Sequence, residues 1–190
     1  MKRRLSILVG ASAIAALTAA ILLWMGRLPF GPDGRFGFWE GDIWSRFQSQ
    51  RLLDPYLFSH LTHGFGFYLL LWLVARRLPV RYRFLCAVAL EAAWEVLENS
   101  PLVIDRYRAV TIALGYEGDS VLNSMSDILM ASLGFLLAWR LPRPASVALV
   151  LAMEIGTLFW VRDNLTLNIV MLVHPVDAIR EWQAGGRPGS

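Results

Sequence analysis

Apolar stretches of about twenty residues, the length an α-helix needs to cross hydrocarbon, recur five times along this chain with arginines at their ends. They lie near residues 5–25, 56–75, 80–99, 120–139 and 145–161. The pattern predicts an all-α fold: a polytopic membrane helix bundle of about five transmembrane helices, forming one membrane-embedded domain over residues 1–183. Composition agrees. The chain is 56% hydrophobic with a mean hydropathy of +0.47, above the 45–50% apolar share usual for soluble domains. The formal charge of +3 is no nucleic-acid footprint, because the arginines flank the apolar runs instead of gathering on one face. Cys86, the only cysteine, excludes an intrachain disulfide and a thiolate metal cluster.

Lys2-Arg3-Arg4 precedes the first run, which continues through Ile21-Leu22-Leu23-Trp24-Met25 past its small residues. Cleaved signals have shorter cores, so this run reads as a retained first span. Residues 27–54 form a loop rich in Gly, Pro and aromatics, suited to a bilayer interface. Asp54-Pro55 reads as the cap and first residue of the second span. Arg76, Arg77, Arg81 and Arg83 form the most basic short connection, Pro79 opens the third span, and Pro101 follows its end. Residues 100–119 read as a second long loop, with Asp119-Ser120 capping the next helix. Arg140 and Arg143 flank the following turn. In the tail, Leu165–Val173 is too short to cross, Val176–Gln183 reads as a short interfacial amphipathic helix, and residues 184–190 read as a disordered tail. With five spans, the basic amino terminus and both arginine-rich turns fall on one side. The positive-inside rule makes that side cytoplasmic and places the carboxyl terminus in the periplasm.

Ionisable residues inside these spans carry the functional signal, because charge in hydrocarbon is expensive and is kept for a reason. Glu91, Glu95 and Glu98 recur at steps of four and three, which puts them on one face of the third helix. Asp119, Asn123 and Asp127 recur at steps of four at the start of the next. At 1.5 Å per residue, His60 and His63 lie roughly 8 and 12 Å below the outer surface, Glu95 and Glu91 about 6 and 12 Å, Asn123 and Asp127 about 5 and 10 Å, and Glu154 about 12 Å. All fall in the outer half of the membrane.

Glu91, Glu95, Asp127 and His63 are therefore the candidate acid–base residues. Glu98, Asn99, Asp119, Asn123, Glu154 and the loop arginines Arg106 and Arg108 are candidates for ligand binding. His60, His63, Glu95 and Asp127 are a donor set that a divalent metal would fit. Each has a plain structural alternative: interfacial hydrogen bonding for the histidines, protonated interhelical contacts for the acids, solvation for the arginines. Gly64, Gly66 and Gly134 read as close-packing positions.

The segments HLTHGFGFY, EAAWEVLENSP, RYRAVTIALGYEGDSVLNSMSDI and DNLTLNIVMLVHPVDAIREWQ resemble a family of bacterial multi-pass inner-membrane proteins that is itself uncharacterised. That resemblance spans residues 33–183 and implies a plasma-membrane location without an activity. Glu95/Glu98 with Asp119/Asn123/Asp127 are also similar, more weakly, to the acidic pattern of VanZ-like membrane proteins. The arginine those proteins often place before it has no counterpart here unless Arg106 or Arg108 serves.

Two functions fit. One is a protein that modifies or binds the head group of a lipid or polyprenyl carrier in the outer leaflet. The other is non-enzymatic: a cation- or proton-binding, transport or scaffold protein with a polar core. The bilayer is the expected partner in either case, with no nucleic acid.

Overall fold

A computed structural model describes residues 2–113 and 115–185, and every regular element in it is helical. The helices are α1 (Lys2–Trp24), α2 (Leu57–Val74), α3 (Val80–Glu98), α4 (Pro101–Val110), α5 (Val121–Arg140), α6 (Arg143–Val161), α7 (Leu165–Val173) and α8 (Asp177–Ala184). Four of them, α1, α2, α5 and α6, are long and apolar enough to cross a membrane. The fifth long helix, α3, has 19 residues and sits among α1, α2 and α5; its arginines and glutamates lower its apolar character.

α5 is the axis of the bundle. It packs against α2 and α3, and more lightly against α1 and α6. Half of its apolar window is buried, against 11% for α1 and 17% for α6, whose leucines and valines instead face outward as lipid-facing residues do. The helices alternate in direction. Gly10 of α1 meets Leu85 near the start of α3, Trp160 near the end of α6 meets Phe58 at the start of α2, and Arg143 lies 5.8 Å from the Trp72 ring at the opposite end. One face therefore collects the arginine-rich turns, and the other carries the long connections.

α2 and α5 approach most closely where Gly64 faces Gly134. A Cβ on either would come within 3.0 Å of the partner backbone. Gly66 is different from the sequence expectation: it faces open space, and a Cβ there would meet nothing within 4 Å. Two residues along a helix turn the side chain through about 200°, so Gly64 and Gly66 cannot share one packing face.

The long connections are structured. Residues 100–119, expected as a loop, contain α4, opened by Pro101 at its first turn. The 27–54 segment folds over the start of α5 and supplies the carbonyls its first N–H groups need: Ser120 N donates to Ser49 O (2.9 Å), Val121 N to Leu28 O (2.8 Å) and Leu122 N to Pro29 O (3.2 Å). Ser120 caps α5 through its hydroxyl, which accepts from Asn123 N (3.2 Å). Asp33 and Arg51 brace the same segment through a two-bond ion pair (2.9 and 3.1 Å), and the guanidinium holds the Asp33 carboxyl down to about 2. α2 begins two residues later than Asp54-Pro55 implied. Tyr56 takes the cap position in place of Asp54, with no side-chain cap bond, and Asp54 accepts from Tyr56 N (2.8 Å) in the turn before it. In the tail, Ala184 closes α8 and Gly185 follows it; the rest of the expected disordered tail, residues 186–190, lies outside the described residues.

Candidate functional site

Three helices bring five ionisable side chains together. α2 supplies His60 and His63, one turn apart on its buried side. α3 supplies Glu91 and Glu95, both with no exposed surface, and α5 supplies Asp127, also buried. The centre of the cluster is His60. Its Nδ1 lies 2.6 Å from Glu91 Oε1 and 3.6 Å from Glu95 Oε1, and its Nε2 lies 3.8 Å from Asp127 Oδ2. His63 Nδ1 sits 3.1 Å from both oxygens of Glu91, and the two imidazoles meet edge to face at 5.2 Å.

Glu91 and Glu95 are buried alike but partnered differently. Glu91 is shared by two ring nitrogens. Neither oxygen of Glu95 has a hydrogen-bond partner among the described residues. A buried carboxyl in that state is costly unless a proton or cation joins it.

The layer above is a hydrogen-bonded lock. Asn99 has no exposed surface. It donates to Glu95 O (3.0 Å) and Asp119 Oδ2 (3.1 Å), and its Oδ1 accepts from Asp119 N (2.7 Å). Tyr116 OH donates to the other Asp119 oxygen (2.9 Å). Asn123 donates to Arg51 O (3.0 Å), tying α5 to the covering segment. Burial pushes the Asp119 carboxyl above the ordinary carboxylate range, and raises Asp54 to about 6 in the same way.

A cavity of about 470 Å³ opens beside the cluster. His60, His63, Glu98, Asp119, Asn123 and Asp127 line its polar end. Leu90, Ala93 and Leu97 of α3 and Leu165, Ile169 and Leu172 of α7 supply its apolar lining. The wall residues Leu90, Leu97 and Ile169 are also 40, 45 and 52% exposed, so the apolar side of the cavity reaches the outer surface of the bundle. α7 is held by other neighbours: Arg106 donates to Leu172 O (2.8 and 3.0 Å), Tyr107 OH to Asn168 (2.9 Å), and Glu154 accepts from Thr166 N and Oγ1 (3.0 and 2.6 Å).

These bonds also show which expected site residues stand apart. Glu154 anchors α7, Arg106 closes its last turn, and Arg108 donates to Tyr116 O. Glu91 and Glu95 lie outside the cavity wall and stand against the histidines that form it. The metal-capable donor sets also differ from the expected His60, His63, Glu95 and Asp127. The groups whose ligand atoms fall within 4.8 Å of one another are His60/His63/Glu91 and His60/Glu95/Glu98. Asp127 is in neither, because α5 offers its carboxylate to the opposite edge of the His60 ring.

Sequence reasoning missed Asp54, Tyr56, Tyr107, Tyr116, Asp163 and Asn168, all in the cavity wall. Asp54 was readable only as a helix cap. Asp163 and Asn168 stand in a tail segment that carried no depth assignment. Asp163 accepts from Tyr56 OH and Gln183 Nε2 (both 3.0 Å), and burial raises its carboxyl to about 6.

Residues 22–185 match the model of a family described as a protein of unknown function, DUF2585, and the chain belongs to that family. It is 52% identical over 177 residues to a UPF0314 protein of Sphingopyxis alaskensis, covering 93% of this chain and 94% of that one. A UPF0314 protein of Paracoccus denitrificans is 51% identical over 171 residues (90% and 89% covered), and one of Novosphingobium aromaticivorans 49% over 183 residues (94% and 92%). No solved structure matches the chain. The resemblance to VanZ-like proteins gains no support from these matches.

Proposed function

We propose that this DUF2585 protein is a multi-pass inner-membrane protein that binds, and with a divalent cation modifies, the head group of a lipid in the outer leaflet. One observation carries the reading. The cavity joins an ionisable end at His60, His63, Glu98 and Asp127 to an apolar end lined by α3 and α7 side chains that are also exposed at the outer surface of the bundle. A molecule with a polar head and an apolar chain matches both ends, while a soluble substrate has no use for the second.

In this reading His60, His63 and Glu91 hold the cation, with Glu95 and Glu98 on the other side of His60. The cation supplies Lewis acidity and a lowered water pKa. Asp127, in the wall and unclaimed by the donor sets, is placed to take or give a proton at the head group. Asn99, Asp119 and Tyr116 hold the outer ends of α3 and α5 in register around it. The arginine-rich turns face the cytoplasm, and the cavity face looks to the periplasm.

A second reading has its own support. The 2.6 Å separation of His60 Nδ1 and Glu91 Oε1 is a hydrogen-bond distance and implies a shared proton. A cluster that carries a proton and no metal would serve non-enzymatic proton binding.

Metal analysis with native mass spectrometry of the detergent-purified chain separates the two. The head-group reading expects a divalent cation stoichiometric with the chain, copurified lipid, and loss of the cation in His63→Ala. Protein free of both cation and lipid overturns it, and protein with neither but with proton release on titration favours the second reading.

A further inference from the structure

The inner cavity does not end at Asp119. A second cavity of about 950 Å³ adjoins it, and Trp44, Gln48, Ile112, Tyr116 and Asp119 stand in the walls of both. The inner cavity is walled by acids, histidines and apolar side chains. The outer one carries three arginines, Arg27, Arg46 and Arg108, from three separate segments of the chain.

Arg27 is held in an unusual way. It crosses Gly118, which has φ +87° and where a Cβ would run into the guanidinium. Its Nη1 donates to Glu117 O, and its Nε is buried with no hydrogen-bond partner among the described residues. A buried guanidinium N–H without an acceptor is expensive, and Arg27 is one of the residues that line the outer cavity. Arg108 is fixed by its bond to Tyr116 O, and Arg46 lies over the Phe47 ring at 4.7 Å.

Three acids, Asp105, Glu117 and Asp119, share the wall, and among the described residues none forms an ion pair with Arg27 or Arg46. The Asp105 side chain is 75% exposed and reaches only 4.0 Å from Arg108 Nη1. Glu117 is exposed and forms no ion pair with Arg27 or Arg46 among the described residues. Both Asp119 oxygens are taken, by Asn99 and Tyr116.

We propose that the outer cavity is an anion subsite that takes a phosphate group. Resting on the head-group reading above, it makes the substrate class a phosphate-bearing lipid: the chain lies between α3 and α7, and the phosphate passes Tyr116 to reach the arginines. Arginine suits this role because its planar fork matches phosphate oxygens two at a time.

The test is calorimetric titration of the purified full-length chain in neutral detergent with three probes: dodecyl phosphate, inorganic phosphate and dodecanol. Dodecyl phosphate should bind, and Arg27→Gln and Arg46→Glu should each weaken it about tenfold or more, the loss expected when a charged hydrogen bond is removed. Dodecanol should show no dependence on either arginine. Equal affinity for inorganic phosphate, with the same arginine dependence, assigns the subsite to free phosphate instead of a lipid. Arg46 is exposed, so its variant keeps the test valid if Arg27→Gln fails to fold. Unchanged dodecyl phosphate affinity in both variants overturns the subsite. Metal content measured on the same samples separates the two readings. Arginine variants that retain the cation but lose phosphate isolate the subsite, whereas cation-free protein with arginine-dependent binding removes the metal and leaves the subsite standing.

Discussion

The contact between Gly64 and Gly134 sets where His60 stands relative to Asp127, and a single methyl group tests it. In Gly64→Ala the new Cβ would fall within 3.0 Å of three backbone atoms, Ala131 O, Phe135 N and Gly134 C. Backbone of a helix core cannot rotate away as a side-chain tip can, so α2 must move. Carbon contacts settle at about 3.5–4.0 Å, so the retreat is on the order of an ångström. Overpacking of this kind costs about 1–3 kcal/mol, set against roughly 0.5–1 kcal/mol gained by replacing a helical glycine with alanine. A chain of this size loses about 2–4 °C of melting temperature per kcal/mol, so the net expected loss is roughly 0–10 °C, accompanied by displacement of His60. Gly66→Ala is the matched control: same helix, same substitution, no atom within 4 Å of the new Cβ. It should hold or raise the melting temperature. Thermal unfolding of both variants in one detergent, followed by tryptophan fluorescence, gives the comparison. If Gly66→Ala melts lower than Gly64→Ala, the α2–α5 contact does not organise the bundle and the site geometry built on it fails.

The two buried glutamates should respond oppositely to neutralisation. Glu91→Gln removes the partner of two imidazoles and should destabilise the chain by about 3–5 kcal/mol, as breaking a buried pair does. Glu95→Gln removes a carboxyl with no hydrogen bond to lose among the described residues and outside the His60/His63/Glu91 set, so stability should hold or rise with the cation kept, whereas Glu91→Gln should lose it; melting temperature with metal analysis reads both. Asn99→Leu leaves the Asp119 N–H and carboxylate without their partner and should cost about 1–3 kcal/mol, visible as faster hydrogen exchange at the start of α5. Reporter fusions after Arg83 and Arg143 should report cytoplasm and a fusion after Gly115 periplasm; a periplasmic signal after Arg83 inverts the orientation.

The sequence alone was enough for the helical bundle. Span length is set by bilayer thickness and the rise of a helix, and both can be counted along a chain. The spacing of Glu91, Glu95 and Glu98 likewise fixed their common face, because helical periodicity belongs to one helix and needs no neighbour. Depth was countable too, which is why His63, Glu91, Glu95 and Asp127 could be nominated together, with His60 only as a possible metal donor. Azimuth was not. How far each helix turns about its axis depends on how its side chains interlock with the next helix, and here the Gly64–Gly134 approach decides it. That rotation makes His60 the centre of the cluster, sends Gly66 to open space, and leaves Asp127 on the far edge of the ring. Glu154 shared the common depth but faces α7, so a depth count could not separate it from the site. Asp54, Tyr116 and Asp163 reach the cavity from connections between spans, whose path follows from tertiary hydrogen bonds such as Ser120 N to Ser49 O and not from any local period.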